Sequence, residues 1–156
     1  MPDKKILVVD DEKDLCFLMK GILEDTGQYL VFTAYDGLSA VETCLREKPQ
    51  LIFLDFAMPG MSGDDVVHSL KEDQDTEHIP VVLMSGLKDI IRFEHNNKWQ
   101  WLSQRPSIQQ LTDKISGKKQ WDRLTQDVIQ KTGITAYLPK PFSKVTLLEV
   151  AAALLS

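Results

Sequence analysis

The chain has 156 residues, 43% of them apolar and 26% charged, a size and balance that suit one soluble domain with a closed core. Its formal net charge of −5 argues against a general nucleic-acid or membrane-surface binder, because either partner selects for excess Lys and Arg. The charge is uneven: residues 88–131 hold nine Lys/Arg against five Asp/Glu, which leaves nine against eighteen for the rest.

Met1 to Lys5 lead straight into a strand pattern rather than a secretory signal. Ile6-Leu7-Val8-Val9 is a β-branched and aliphatic run closed by two acids, which reads as a strand buried on both faces and as the central one. Residues 12–26 set Leu15, Leu18, Met19, Ile22 and Leu23 at helical spacing, with Gly27 as the stop. Tyr29 to Ala34 predicts a second strand, and Leu38, Val41, Cys44 and Leu45 a second helix that ends before Pro49. Leu51-Ile52-Phe53-Leu54 is a third strand closed by Asp55. A turn rich in Pro59, Gly60, Ser62 and Gly63 precedes a short helix with Val66, Val67 and Leu70. Val81-Val82-Leu83-Met84 is the fourth strand, ending at Ser85 and Gly86. Ala136-Tyr137-Leu138 is the fifth, finishing at Pro139-Lys140-Pro141, and Ser143 caps a last helix carrying Val145, Leu148, Ala152 and Leu155.

Strands alternating with helices imply βαβ units, hence an α/β, doubly wound five-stranded parallel sheet with helices on both faces. One crossover is too long. Ser85 and Lys140 are 55 positions apart (140 − 85), where a helix with two ordinary loops needs about 20. The surplus holds all three tryptophans, Trp99, Trp101 and Trp121, with helical spacing at Ile108, Leu111 and Ile115 and again at Trp121, Leu124 and Val128. Trp121 to Lys131 sits where the fourth helix belongs, so a partly helical insertion is expected at about 87–119 within one domain spanning 1–156.

Asp10, Asp11, Asp55, Ser85 and Lys140 all fall at carboxyl ends of strands, the edge where ligands bind in an open parallel sheet. Three carboxylates gathered there repel one another unless a cation neutralises them, and oxygen-only ligation favours Mg²⁺ over zinc. Lys140 adds a fixed positive charge and Ser85 a hydroxyl donor, which together suit phosphoryl transfer to a carboxylate. Singly these residues have plainer readings: the acids as helix caps or turn formers, Lys140 as a surface charge, Tyr137 as core packing. Their coincidence on one edge outweighs those readings. Cys16 and Cys44 show no pairing or metal spacing and read as buried free thiols; His68, His78 and His95 read as structural or exposed.

Val8-Val9-Asp10-Asp11-Glu12, Asp55-Phe56-Ala57-Met58-Pro59-Gly60-Met61-Ser62-Gly63, Met84-Ser85-Gly86 and Tyr137-Leu138-Pro139-Lys140-Pro141-Phe142 together resemble response regulator receiver domains of two-component systems, over roughly 4–86 and 121–156. The resemblance implies the flavodoxin-like strand order 2-1-3-4-5 and a cytoplasmic phosphorylation switch. Asp55 would accept a phosphoryl group from a histidine kinase or histidine phosphotransfer protein, with Mg²⁺ held by Asp10, Asp11, Asp55 and the Ala57 backbone carbonyl. It further implies that Ser85 follows the phosphoryl oxygen and that Tyr137 moves inward, coupling the site to a partner face formed by the fourth helix, fifth strand and fifth helix. A cis peptide is expected at Lys140–Pro141. Ala57 and Leu87 hold the positions that tune phosphoryl lifetime, and neither side chain can orient an attacking water, so slow self-dephosphorylation is expected. The basic, aromatic insertion is either a surface elaboration or a docking segment for the downstream partner; nucleic acid finds no reading motif there. Two other functions stay open: a degenerate receiver serving as a binding scaffold, and a magnesium phosphohydrolase, which needs a second acid where Ala57 stands.

Overall fold

The apolar runs Ile6–Val9, Leu51–Leu54 and Val81–Met84 are buried on both faces, which is what a parallel sheet sandwiched between helices demands. The structure, a computed structural model, describes residues 2–85 and 134–156, with Ser85 and Tyr137 described by backbone alone. In chain order these residues form β1 (Lys4–Val9), α1 (Lys13–Glu24), β2 (Tyr29–Ala34), α2 (Gly37–Glu47), β3 (Leu51–Asp55), α3 (Gly63–Lys71), β4 (Val81–Ser85), β5 (Ala136–Pro139) and the C-terminal helix α4 (Lys144–Leu155). The expected insertion at 87–119, the helix expected at 121–131, the three tryptophans, Leu87 and His95 lie outside the described residues.

The strands pair in parallel in the order β2-β1-β3-β4-β5, as expected. The middle place belongs to β3 rather than to β1, which lies between β2 and β3. Because side chains alternate across a strand, the apolar runs split into two cores. Leu7, Val9, Ile52, Leu54, Val81 and Leu83 face α2 and α3, meeting Ala40, Cys44, Val66, Val67 and Leu70. Ile6, Val8, Leu51, Phe53, Val82 and Met84 face α1 and α4, meeting Cys16, Met19, Leu23, Leu147, Ala151 and Leu155.

Read for large apolar residues, the sequence finds the buried face of α3, where Val66, Val67 and Leu70 are all buried, and most of that of α1, but it misplaces particular residues in α1, α2 and α4. Leu18 in α1, Leu38 and Leu45 in α2 and Val145 in α4 were expected inside, yet are 57%, 66%, 42% and 62% exposed. Ala152 is exposed as well. Cys16, Ala40, Thr43, Leu147 and Ala151 take the inner positions instead, most of them small side chains that let a helix lie close on the sheet. The expected ends hold well: Gly27 adopts φ +77° and its N–H bonds the Glu24 carbonyl, and the Ser143 Oγ accepts from the Thr146 N–H at 3.1 Å. Lys48, at φ 50°, closes α2 just before Pro49.

Candidate functional site

Parallel strands all run one way, so the residue that follows each apolar run emerges at a single rim. Val9 pairs with Leu54 and Asp55 with Met84, which sets Asp10 and Asp55 on adjacent strand ends. Ser85 stands opposite Pro139, so Lys140 follows directly beyond the edge strand. The Lys140–Pro141 peptide is cis.

Asp10 is fully buried and Asp55 is 4% exposed, whereas Asp11 is open to solvent. One carboxylate oxygen from each of the three lies within 4.8 Å of the others. Lys140 Nζ donates to Asp10 Oδ2 at 2.6 Å and to Asp55 Oδ1 at 3.1 Å, so it is a partner of the acids and not a surface charge. Two further contacts hold Asp10. Its Oδ1 accepts the Glu12 backbone N–H at 2.9 Å, and the Cys16 thiol donates to its carbonyl oxygen at 3.3 Å. Asp10 and Asp11 are therefore not side-chain caps of α1, whose N-cap residue is Glu12.

Three carboxylates against one ammonium leave this corner negative. Burial, reinforced by the charge of Asp10 and opposed by Lys140, pushes the Asp55 carboxyl up from 3.8 to about 7. Burial alone would lower the Lys140 ammonium, but the hydrogen bond to Asp10 and the charges of Asp55 and Asp10 outweigh it, and its pKa is raised. Lys140 therefore stays charged at neutral pH. An oxygen-only cluster with surplus negative charge fits a hard dication such as Mg²⁺ and lacks the nitrogen and sulfur donors that zinc prefers.

The loop between β3 and α3 follows directly on Asp55 and is held at two anchors. Phe56 and Met58 are buried in the core shared with α2 and α3, while Ala57 between them is exposed. The Phe56 N–H bonds the Met84 carbonyl at 2.8 Å, and the Gly63 N–H bonds the Phe56 carbonyl at 2.9 Å. Glycine is required at 63: a Cβ there would lie 2.6 Å from the Asp55 carbonyl oxygen and 2.8 Å from Phe56 Cα, both fixed backbone atoms. This close approach and the Glu12 and Cys16 contacts were not anticipated from sequence. Gly63 stood in the turn-rich stretch as a general turn signal, and backbone donors leave no residue-type signature at all.

Ser85 and Tyr137 are found at the expected places, on the end of β4 and in β5 opposite Leu83. Their side chains, and with them the expected switch movement, lie outside the described atoms. His68 is exposed and 2.9 Å from Glu72, and His78 is exposed. Cys16 and Cys44 are buried and free, their thiols pushed up by burial to about 11 and about 12. No helix among the described residues is long and apolar enough to cross a membrane.

Residues 6–116 match the family described as the response regulator receiver domain. Protein PilH of Pseudomonas aeruginosa is 30% identical over 152 residues, covering 97% of this chain and 98% of that protein. Response regulator PleD of Caulobacter vibrioides is 45% identical over 84 residues, which are 53% of this chain but 18% of PleD, so the chain spans under a fifth of that relative. The crystal structure of the receiver domain of NtrX from Brucella abortus is similar with a TM-score of 0.67 at 28% identity, covering 96% of this chain and 97% of that one.

Proposed function

Because the chain belongs to the response regulator receiver family of two-component signalling, we propose that Asp55 is its phosphoacceptor and that Asp10, Asp11, Asp55 and the Ala57 carbonyl hold Mg²⁺. The observation that carries this reading is the buried Asp10–Lys140–Asp55 arrangement, with Nζ at 2.6 and 3.1 Å from the two carboxylates and the Asp55 carboxyl pushed up to about 7. Burying such a cluster costs folding free energy, and buried carboxylates with perturbed pKa values are a usual mark of a functional site.

The step is a displacement at phosphorus. An Asp55 carboxylate oxygen attacks the phosphoryl group of a phosphohistidine; the O–P bond forms as the P–N bond breaks, and the imidazole leaves with the electron pair. When bound, Mg²⁺ neutralises the phosphoryl oxygens and keeps Asp55 ionised at neutral pH. Asp10, fixed by the Glu12 N–H and Lys140, would be one of the carboxylates that hold the cation. Lys140, already 3.1 Å from Asp55, pairs with a phosphoryl oxygen once the carboxylate charge is spent. The Ser85 hydroxyl then donates to another phosphoryl oxygen, and Tyr137 moves inward, altering a protein-binding face that includes β5 and α4.

The donor is a histidine kinase or a histidine phosphotransfer protein, and the chain acts in the cytoplasm as a signalling module that turns over its own phosphoryl group slowly. The complete acid and lysine set disfavours a degenerate scaffold, and Ala57 lacks the acid a phosphohydrolase needs at that place. Incubation with acetyl phosphate and Mg²⁺, followed by intact mass, tests the reading. One added phosphoryl group is expected, lost when EDTA replaces Mg²⁺. Full labelling in EDTA would sink the magnesium-dependent acceptor.

A further inference from the structure

We propose that Gly37, at the start of α2 and outside the acidic cluster, is a positioning residue for the cation site: it seats Met61, and through Met61 sets the path of the loop that follows Asp55. This deepens, and rests on, the reading of that cluster as a Mg²⁺ site. A Cβ built on Gly37 would lie 2.7 Å from Met61 Cβ, 2.8 Å from its Cγ and 3.0 Å from its Sδ. The nearest of these atoms is bonded to the loop backbone, so no rotation of the methionine clears it, and a methyl at 37 must move the loop itself.

The helix does not need glycine there. Gly37 has no left-handed φ to favour it, and alanine has the better helix propensity. Asp36 caps α2 through the Ser39 N–H at 2.8 Å, independently of residue 37. What remains to account for a glycine at this position is the room it gives Met61, which packs against the core shared by α2 and α3. The segment that Met61 holds carries Ala57, whose carbonyl is the proposed fourth protein ligand, and it begins at Asp55 itself. Its other end is fixed by Gly63 against the Asp55 and Phe56 backbone. With that end immovable, displacement at Met61 is passed back to Met58, which is buried in the same core, and so to Ala57 beside it.

The test is a double-variant cycle on the full chain, with Mg²⁺ affinity by calorimetry and melting temperature in EDTA as separate readouts. Gly37→Ala is expected to weaken Mg²⁺ binding about tenfold, the scale of lost support for metal ligands, and to lower the EDTA melting temperature by the few degrees that displacing a half-buried methionine costs. Met61→Gly removes the colliding Cβ, so Gly37→Ala made in that background should change affinity less than about twofold. Equal weakening by Gly37→Ala in both backgrounds would overturn the proposal, as would wild-type affinity in the single variant. If Gly37→Ala alone does not fold, the double variant must recover folding and Met61→Gly alone must weaken Mg²⁺ binding; failure of either overturns it too. An unaltered chain that binds no Mg²⁺ would instead refute the cation site, a result distinct from any in the cycle.

Discussion

Removing the charge of Asp55 should stabilise the metal-free protein, although it destroys the proposed acceptor. The carboxyl goes from 3.8, its ordinary value, to about 7 in the fold. A group whose folded pKa is raised contributes stability that is fully present below its unfolded pKa and is lost as the pH rises through the folded one. For Asp55 that window runs from about pH 4 to about pH 7. Three pKa steps at 1.36 kcal/mol each make an ionised, metal-free Asp55 cost about 4 kcal/mol above pH 7. An asparagine amide in the same buried place lacks some of its hydrogen bonds and returns roughly 1–2 kcal/mol of that gain. The net expectation for Asp55→Asn in EDTA at pH 8 is about 2 kcal/mol of added stability, a rise of roughly 4–8 °C in melting temperature for a chain of this size. At pH 5 the gain should fall to a third or less, since most of the wild-type carboxyl is then protonated in the fold. Calorimetric melts of both proteins at the two pH values decide the matter. Asp55→Asn melting below wild type at pH 8, or a difference that ignores pH, would refute the electrostatic reasoning.

Other consequences can be read from the same geometry. Lys140→Met leaves Asp10 and Asp55 buried without their shared cation; urea unfolding in EDTA at pH 8 should show a loss of about 3 kcal/mol, and saturating Mg²⁺ should restore most of it. Gly63→Ala drives a methyl into the Asp55 carbonyl oxygen and should cost more than about 2 kcal/mol in the same assay, with Mg²⁺ affinity falling in parallel. Ala57→Asn supplies an amide that can orient water, and should speed phosphoryl loss about tenfold or more, measured by mass after donor removal; an unchanged rate would remove Ala57 from the control of lifetime.

The sheet was readable because its strands are buried on both faces: Ile6–Val9, Leu51–Leu54 and Val81–Met84 are unbroken apolar runs that need no phase to interpret. The helices demand a phase, which large apolar residues supplied in α3 and, Leu18 apart, in α1, but only in part in α2 and α4. α4 is apolar almost all round, so Val145 and Ala152 could not be told from Leu147 and Ala151 by periodicity, while in α2 the sheet-facing side is built from Ala40, Thr43 and Cys44. The acids and Lys140 were legible for a topological reason, since strand ends of a parallel sheet converge whatever the side-chain packing. The supports around them were not. A backbone N–H from Glu12, a thiol from Cys16 and the fit of Met61 onto Gly37 depend on loop paths that no local pattern encodes.

The central claim is that one carboxylate of the cluster receives phosphate. Treating the protein with acetyl phosphate and Mg²⁺, reducing the product with borohydride and sequencing its peptides by mass spectrometry would locate the acyl phosphate, because only a phosphorylated aspartate is converted to homoserine. The account predicts conversion at Asp55, with Asp10 and Asp11 intact. Conversion at another residue, or none when labelling has occurred, would contradict it.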